Sequence, residues 1–166
     1  MMAVSHNDKF EALDACHADI QQHLDQLKAL MPQIEAGADD KPFRQQIAAI
    51  EAFFSSTSRD HHADEEKNVF PALLARENAE LTHAVHTLQQ DHGWIEQNWI
   101  QLAPMMRAIA DGSGTVDPAE FKHSTEVFVA LLHDHIVLEE TLIYPESKRQ
   151  FSDELAARET RKGELT

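Results

Sequence analysis

Apolar and polar positions recur with a helical period over most of the chain. From Ser5 to about Glu35, Phe10, Leu13, Ile20, Leu24, Leu27 and Met31 fall at three- or four-residue steps, with His17 inside the same stripe. That spacing puts them on one face of an amphipathic helix. Ser5, with Asp8 three residues on, marks its start, and Pro32 with Gly37 its end; Gly37 to Lys41 is a polar turn. A second stripe begins near Pro42 and runs through Phe43, Ile47, Ile50, Phe54, His61 and Glu65. It crosses the weak helix-forming run Ser55 to Ser58, whose small side chains leave room beside His61. Pro71 should kink or restart this helix, because it lacks an N–H and clashes with the preceding turn. A short apolar piece, Ala72 to Leu74, and a turn near Glu77 to Ala79 follow.

The third stripe lies within Glu80 to Ala110 and comprises Val85, Leu88, His92, Ile95, Trp99, Leu102, Met106 and Ile109. Asp111-Gly112-Ser113-Gly114 is the clearest loop, and Asp117-Pro118-Ala119-Glu120 a strong helix start. The fourth stripe is Phe121, Phe128, Leu131, Leu132, His135, Leu138, Glu139 and Leu142, with Pro145 expected to break it as Pro71 breaks the second. Phe151 to Thr166 is a charged tail, expected as a short or frayed helix with a mobile end from Lys162. No sustained alternation signals a strand. The expectation is an all-α fold, an up-down-up-down four-helix bundle over residues 1–150 with the tail at 151–166.

The stripes also repeat. His17 and His92 each carry apolar residues at offsets -7, -4, +3, +7, +10 and +14, so the third segment repeats the first. His61-to-Pro71 returns 74 residues later as His135-to-Pro145, each copy holding a His, a Glu pair starting four residues on, and an aromatic-Pro step. The bundle is therefore a duplicated helical hairpin. In antiparallel helices, residues equally far from a turn share a level. The midpoint of His17 and His61 is 39, that of His61 and His92 is 76.5, and that of His92 and His135 is 113.5. All three fall in or beside an expected turn, which brings the four stripe histidines to one level. Glu65 and Glu139 follow their histidines by four residues and share their faces.

One histidine on an apolar face is usually a hydrogen-bonded core residue, and one His-x-x-x-Glu pair is a weak signal. Four inward imidazoles and two carboxylates at one level, with no Lys or Arg on those stripes, are different. Burying two unpaired carboxylates costs several kcal/mol each, a problem a bound cation removes. Mixed imidazole and carboxylate donors suit iron, manganese or zinc, and six donors exceed one tetrahedral zinc. Two iron-sized ions, each with two histidines and sharing two carboxylates, fit this set.

Charge and composition narrow the field. The net charge of -15 argues against nucleic acid or an anionic membrane as partner. A single cysteine, Cys16, excludes an internal disulfide and suits a reducing compartment. Without a basic-then-apolar leader or a run of about 20 apolar residues, the expected address is cytoplasmic.

The pattern H…HxxxE…H…HxxxE, with E-E-x-x-x-aromatic-Pro in both repeats, resembles the hemerythrin-like HHE cation-binding domain from about Phe10 to Arg149. The resemblance implies a four-helix bundle around a non-haem di-iron centre, oxo- or hydroxo-bridged, with zinc or manganese as possible substitutes. Its ligands would be His17, His61, Glu65, His92, His135 and Glu139, with Glu65 and Glu139 bridging. The oxygen-carrying hemerythrins have a second histidine one turn from the third-helix ligand, where this chain has Leu88 and Glu96, and an Asp five residues after the fourth-helix histidine. The four-His, two-Glu set is more similar to bacterial members and iron-handling relatives, linked to O2 or redox sensing, peroxide or nitric oxide chemistry, and iron-sulfur repair. A ferritin-like centre is excluded. Its two ExxH strings, Glu80 to His83 and Glu120 to His123, open consecutive antiparallel helices and so lie at opposite ends of the bundle.

Other polar residues are weighed against the bland alternative. His62 and Glu66 point about 100° off the stripe, as outer-layer or surface residues. His23 and His86 turn off the face, and His133 lies on another. Glu96, on the right face one turn from His92, is the best candidate for an extra ligand. Tyr144, in the place of Phe70, is a core residue needing a hydroxyl partner, or a redox or hydrogen-bonding residue near the metals. Cys16 is a small buried residue. Two functions follow: a di-iron protein that binds O2, nitric oxide or iron as carrier, store or sensor, or an enzyme that scavenges peroxide or nitric oxide or repairs iron-sulfur centres. A zinc-bound or empty structural bundle is the third reading.

Overall fold

The computed structural model describes residues 6–164, with side chains from 10 to 163. Ser5 therefore lies outside the described residues. Helix α1 spans His6–Glu35 and carries Pro32 inside its last turns, so it ends at Gly37 (φ +77°) rather than at the proline. The second segment is three helices: α2 (Lys41–Ser55), α3 (Thr57–Asn68) and α4 (Phe70–Leu74). Breaks fall at Ser56, within the weak run, and at Val69, just ahead of Pro71. Pro71 sits in the first turn of α4, where a missing N–H leaves no helical bond unmade.

Helix α5 runs Ala79–Asp111, opened by the Asn78 side chain, which accepts from the amides of Glu80 and Leu81, and closed by left-handed Gly112 (φ 65°). Helix α6 (Pro118–Leu138) is opened by Asp117, which accepts from the Ala119 amide. Pro145 does not break the fourth segment. The helix widens into a π turn, Glu139–Ile143, in which the Tyr144 amide donates five residues back to Glu139, and continues as α7, Tyr144–Glu164. A proline leaves one carbonyl without a donor, and a widened turn absorbs that defect without ending the helix. The tail is thus a direct helical extension. Of the stretch expected to be mobile, Lys162 to Glu164 are helical, and 165–166 lie outside the described residues.

Two further expectations shift by a turn. In α1, Leu30 and Ile34 are buried and Met31 only partly so. In the fourth segment, Ile143 and Tyr144 are buried, while Leu142 is only partly so. Five residues in the π turn advance the inward face by one position.

Contacts fix how the segments lie. Glu51 meets Arg107, Ser55 meets Trp99, and Arg59 meets Glu96. Glu35 meets Lys122, His17 meets Glu139, and Asp14 meets Lys148. Numbers rise along one member of each pair as they fall along the other. The interior is two apolar clusters. One gathers Leu24, Leu27, Phe54, Trp99, Phe128 and Leu132; the other gathers Phe10, Leu13, Phe70, Val85, Leu88 and Tyr144. Between them lies a polar layer of His17, His61, Glu65, His92, His135 and Glu139, all at most 8% exposed. Among the described residues there is no strand, and no helix is long and apolar enough to cross a membrane.

Candidate metal centre

Two helices carry the paired ligand candidates and two the single ones. In α3, His61 and Glu65 stand one turn apart, with Nε2 of His61 3.1 Å from the carboxylate. In the fourth segment His135, near the end of α6, and Glu139, the first π residue, repeat this at 2.5 Å. His17 on α1 and His92 on α5 complete the layer. Their rings stand 4.8 Å from His61 and 4.6 Å from His135 respectively, centroid to centroid.

All four histidines turn Nε2 inward. His17 Nε2 is 3.7 Å from Glu139, and His92 Nε2 is 3.7 Å from Glu65 and 3.0 Å from His135 Nε2. The outward Nδ1 atoms face carboxylates: Glu140 at 3.3 Å from His17, Glu66 at 2.8 Å from His92, and Asp91 at 3.8 Å from His135. A carboxylate on Nδ1 draws the ring proton to that side and leaves Nε2 as a free electron pair, the usual orientation behind a metal-bound histidine. Glu66 and Glu140, off the stripe by helical phase, are therefore orienting partners. They occupy matching places in the repeat.

Several donors in this layer lack a proton to share. Among the described residues, Glu65 Oε1, both Glu139 oxygens and His135 Nδ1 have no hydrogen-bond partner. The 2.5 Å approach of His135 to Glu139 is thus a close contact without hydrogen-bond geometry. Buried, crowded, unsatisfied electron pairs cost several kcal/mol unless a cation lies among them. The donors form two groups whose ligand atoms all lie within 4.8 Å: His17, His61, Glu65 and Glu139 in one, and His62, Glu65, His92 and His135 in the other. Glu65 belongs to both. The layer fits a pair of cations.

Electrostatics follows from burial and neighbours. Burial lowers His17, helped by the charge of His61. Burial likewise lowers His135, against the opposing pull of Asp91. Burial also pulls His61 down, but hydrogen bonds with Cys16 and Glu65 win and push it up to about 9. For Glu65, burial works upward, yet the imidazoles of His61 and His92 outweigh it and hold the carboxyl well below the usual range. Tyr144 stacks on His17 (centroids 4.9 Å, 15°), and its hydroxyl lies 3.0 Å from Glu65 Oε2 and 3.0 Å from His17 Nε2. Burial, then the Glu65 charge, raises its pKa far above the ordinary phenol value, so it keeps its proton and donates to the carboxylate.

A profile of the hemerythrin HHE cation-binding domain matches residues 8–147. The chain belongs to this family. A Haemophilus influenzae protein described as uncharacterized is 27% identical over 137 residues, covering 82% of this chain and 77% of that one. The hemerythrin-like chain thus has both the family's sequence match and clusters of His and Glu suited to a metal.

Two of the weighed residues are placed differently from the sequence expectation. Glu96 does not join the layer. It pairs with Arg59 at 2.5 and 3.1 Å and is 43% exposed, so the cation across the helix pair takes it out of contention. His62 is not outside the layer. Its ring stacks on His92 (4.3 Å) and meets His135 (5.4 Å). Helical phase alone missed this because α3 packs against α1 while its side chains also reach α5, His62 meeting His92 and Arg59 meeting Glu96. Directions about 100° apart can therefore both point at neighbouring helices. His23 instead stacks on Phe53 at 3.7 Å, away from the layer.

Proposed function

We propose that the chain is a non-haem di-iron protein that binds a small ligand such as O2 or nitric oxide, or iron itself, as carrier, store or sensor. His17 and His61 would hold one ion and His92 and His135 the other, with Glu65 and Glu139 shared between them. Bound iron supplies coordination positions open to an exogenous ligand and a change of oxidation state. The observation that carries this reading is the set of unsatisfied buried carboxylate oxygens facing four Nε2 atoms in one buried layer. The paired contacts along the segments support the up-down-up-down arrangement that brings those donors to one level.

In either the binding or the enzymatic reading Tyr144 would donate a hydrogen bond to Glu65 at the edge of the site. The test is metal per chain in the purified protein, with visible spectra under O2 and then peroxide. Two irons, near-ultraviolet charge-transfer absorption and reversible ligand binding support the proposal. Peroxide consumed over many cycles transfers it to the enzyme reading. Fewer than about one metal per chain, with spectra unchanged in Glu65→Ala, overturns it.

A further inference from the structure

His62 stands among the ligand candidates without a role in the six-residue set. Its donor nitrogen, one from His92, one from His135 and a Glu65 oxygen all lie within 4.8 Å of one another. The simplest account would be packing, since the ring stacks on His92. The internal repeat speaks against it. The position matching His62 is Ile136, which is buried and serves the apolar core. An aliphatic side chain thus suffices to fill such a place, whereas here a half-buried imidazole sets a polar ring against the layer, where its nitrogen needs a partner. Arg59, Ala63, Glu66, His92 and Glu96 line a surface cleft with His62 between α3 and α5, so this side of the layer opens toward solvent.

We infer that His62 is a fifth imidazole ligand, belonging to the His92–His135 side, so that the two metal positions are unequal: three histidines on one and two on the other. This rests on the two-ion reading above. Ile136 gives the other side no such ligand.

The full-length protein, labelled with 13C,15N-histidine and loaded with Co2+, gives one hyperfine-shifted imidazole spin system per coordinated histidine. The expected count is five, for His17, His61, His62, His92 and His135. His62→Ala should lose one of them, and one of its two ions should pass to a chelator at least tenfold faster than in the parent. Imidazole added to the medium should fill the void and restore the parent rate. Two cobalt ions per chain with only four shifted spin systems in the parent overturn the inference while leaving the two-ion reading intact. A parent that takes up no cobalt overturns both. Should His62→Ala fail to fold, the parent count together with His62→Gln decides.

Discussion

The two halves of the polar layer are built from the same parts and finished differently. Each has a His-x-x-x-Glu helix, a single histidine from another helix, and a carboxylate one residue beyond the ligand Glu that orients the single histidine: Glu140 for His17 and Glu66 for His92. Each is roofed by an aromatic five residues past its Glu, Tyr144 stacking on His17 and Phe70 on His92. What differs is polarity. One roof carries a hydroxyl bonded to Glu65 and the other does not; one half has Ile136 where the other has His62. The residue before the single histidine also differs: Cys16 stands beside His61, and Asp91 faces His135. Duplication supplied the scaffold, and a few substitutions made its ends chemically unequal.

The shared element should fail most severely. Glu65 belongs to both donor groups, so Glu65→Ala should weaken both halves, with metal affinity falling by more than about 100-fold. It also takes a carboxylate partner from His61 and the acceptor from the buried Tyr144 hydroxyl, which destabilises the metal-free fold by about 1–3 kcal/mol. Titration with a competing chelator and urea unfolding measure the two effects. Loss confined to one half would show that Glu65 is not shared.

Next come the orienting carboxylates. Glu66→Gln and Glu140→Gln should each cost about 10–100-fold in metal affinity, and each in a different half. The Glu66 change should be the larger, because its contact is 2.8 Å against 3.3 Å. Two-phase metal release, with a different phase accelerated in each variant, is the expected signature.

These outcomes bear on what the chain made legible. The four stripe histidines and their two glutamates came from period, spacing and turn position, since a regular helix converts sequence distance into direction and height. The π turn was hidden because a helical wheel assumes a constant pitch; one extra residue in the turn moved Ile143 and Tyr144 inward where the wheel chose Leu142. His62 was hidden because a wheel shows one inward direction, and a helix between two neighbours has a wider inward arc. Glu96 looked available because its face was right, but Arg59 on α3 captures it, a contact across helices that no single-helix pattern contains.

Tyr144→Phe tests the polar finish directly, by making the two roofs alike. Losing the hydroxyl leaves Glu65 Oε2 without its donor, which should cost about 1–3 kcal/mol in the metal-free protein, read as a lower urea midpoint with unchanged helix content. A parent-like midpoint would mean the hydroxyl is not what distinguishes the halves.

The last difference between the halves is a pH slope. His61, raised to about 9 against an unfolded value near 6.5, is protonated in the metal-free protein at neutral pH. Its contribution to folding is full below about 6.5 and disappears as pH rises through about 9. Metal must displace that proton, so uptake near pH 7.5 should release about one proton from this residue and almost none above pH 10. Proton release in a weakly buffered titration measures it, and the Cys16–His61 half should account for it.

The π turn makes the helix behave like a screw with one notch too many in its thread. Everything beyond Ile143, the whole of α7 included, is rotated relative to α6 by that notch. Removing one residue within Glu139–Ile143, Thr141 for instance, would let the thread run true and leave Tyr144 four residues past Glu139 on a regular helix, still over His17. The outer face of α7 would keep its direction, so a label on the far tail, at Ser152, would show the notch absorbed beside the metal layer rather than passed along the helix.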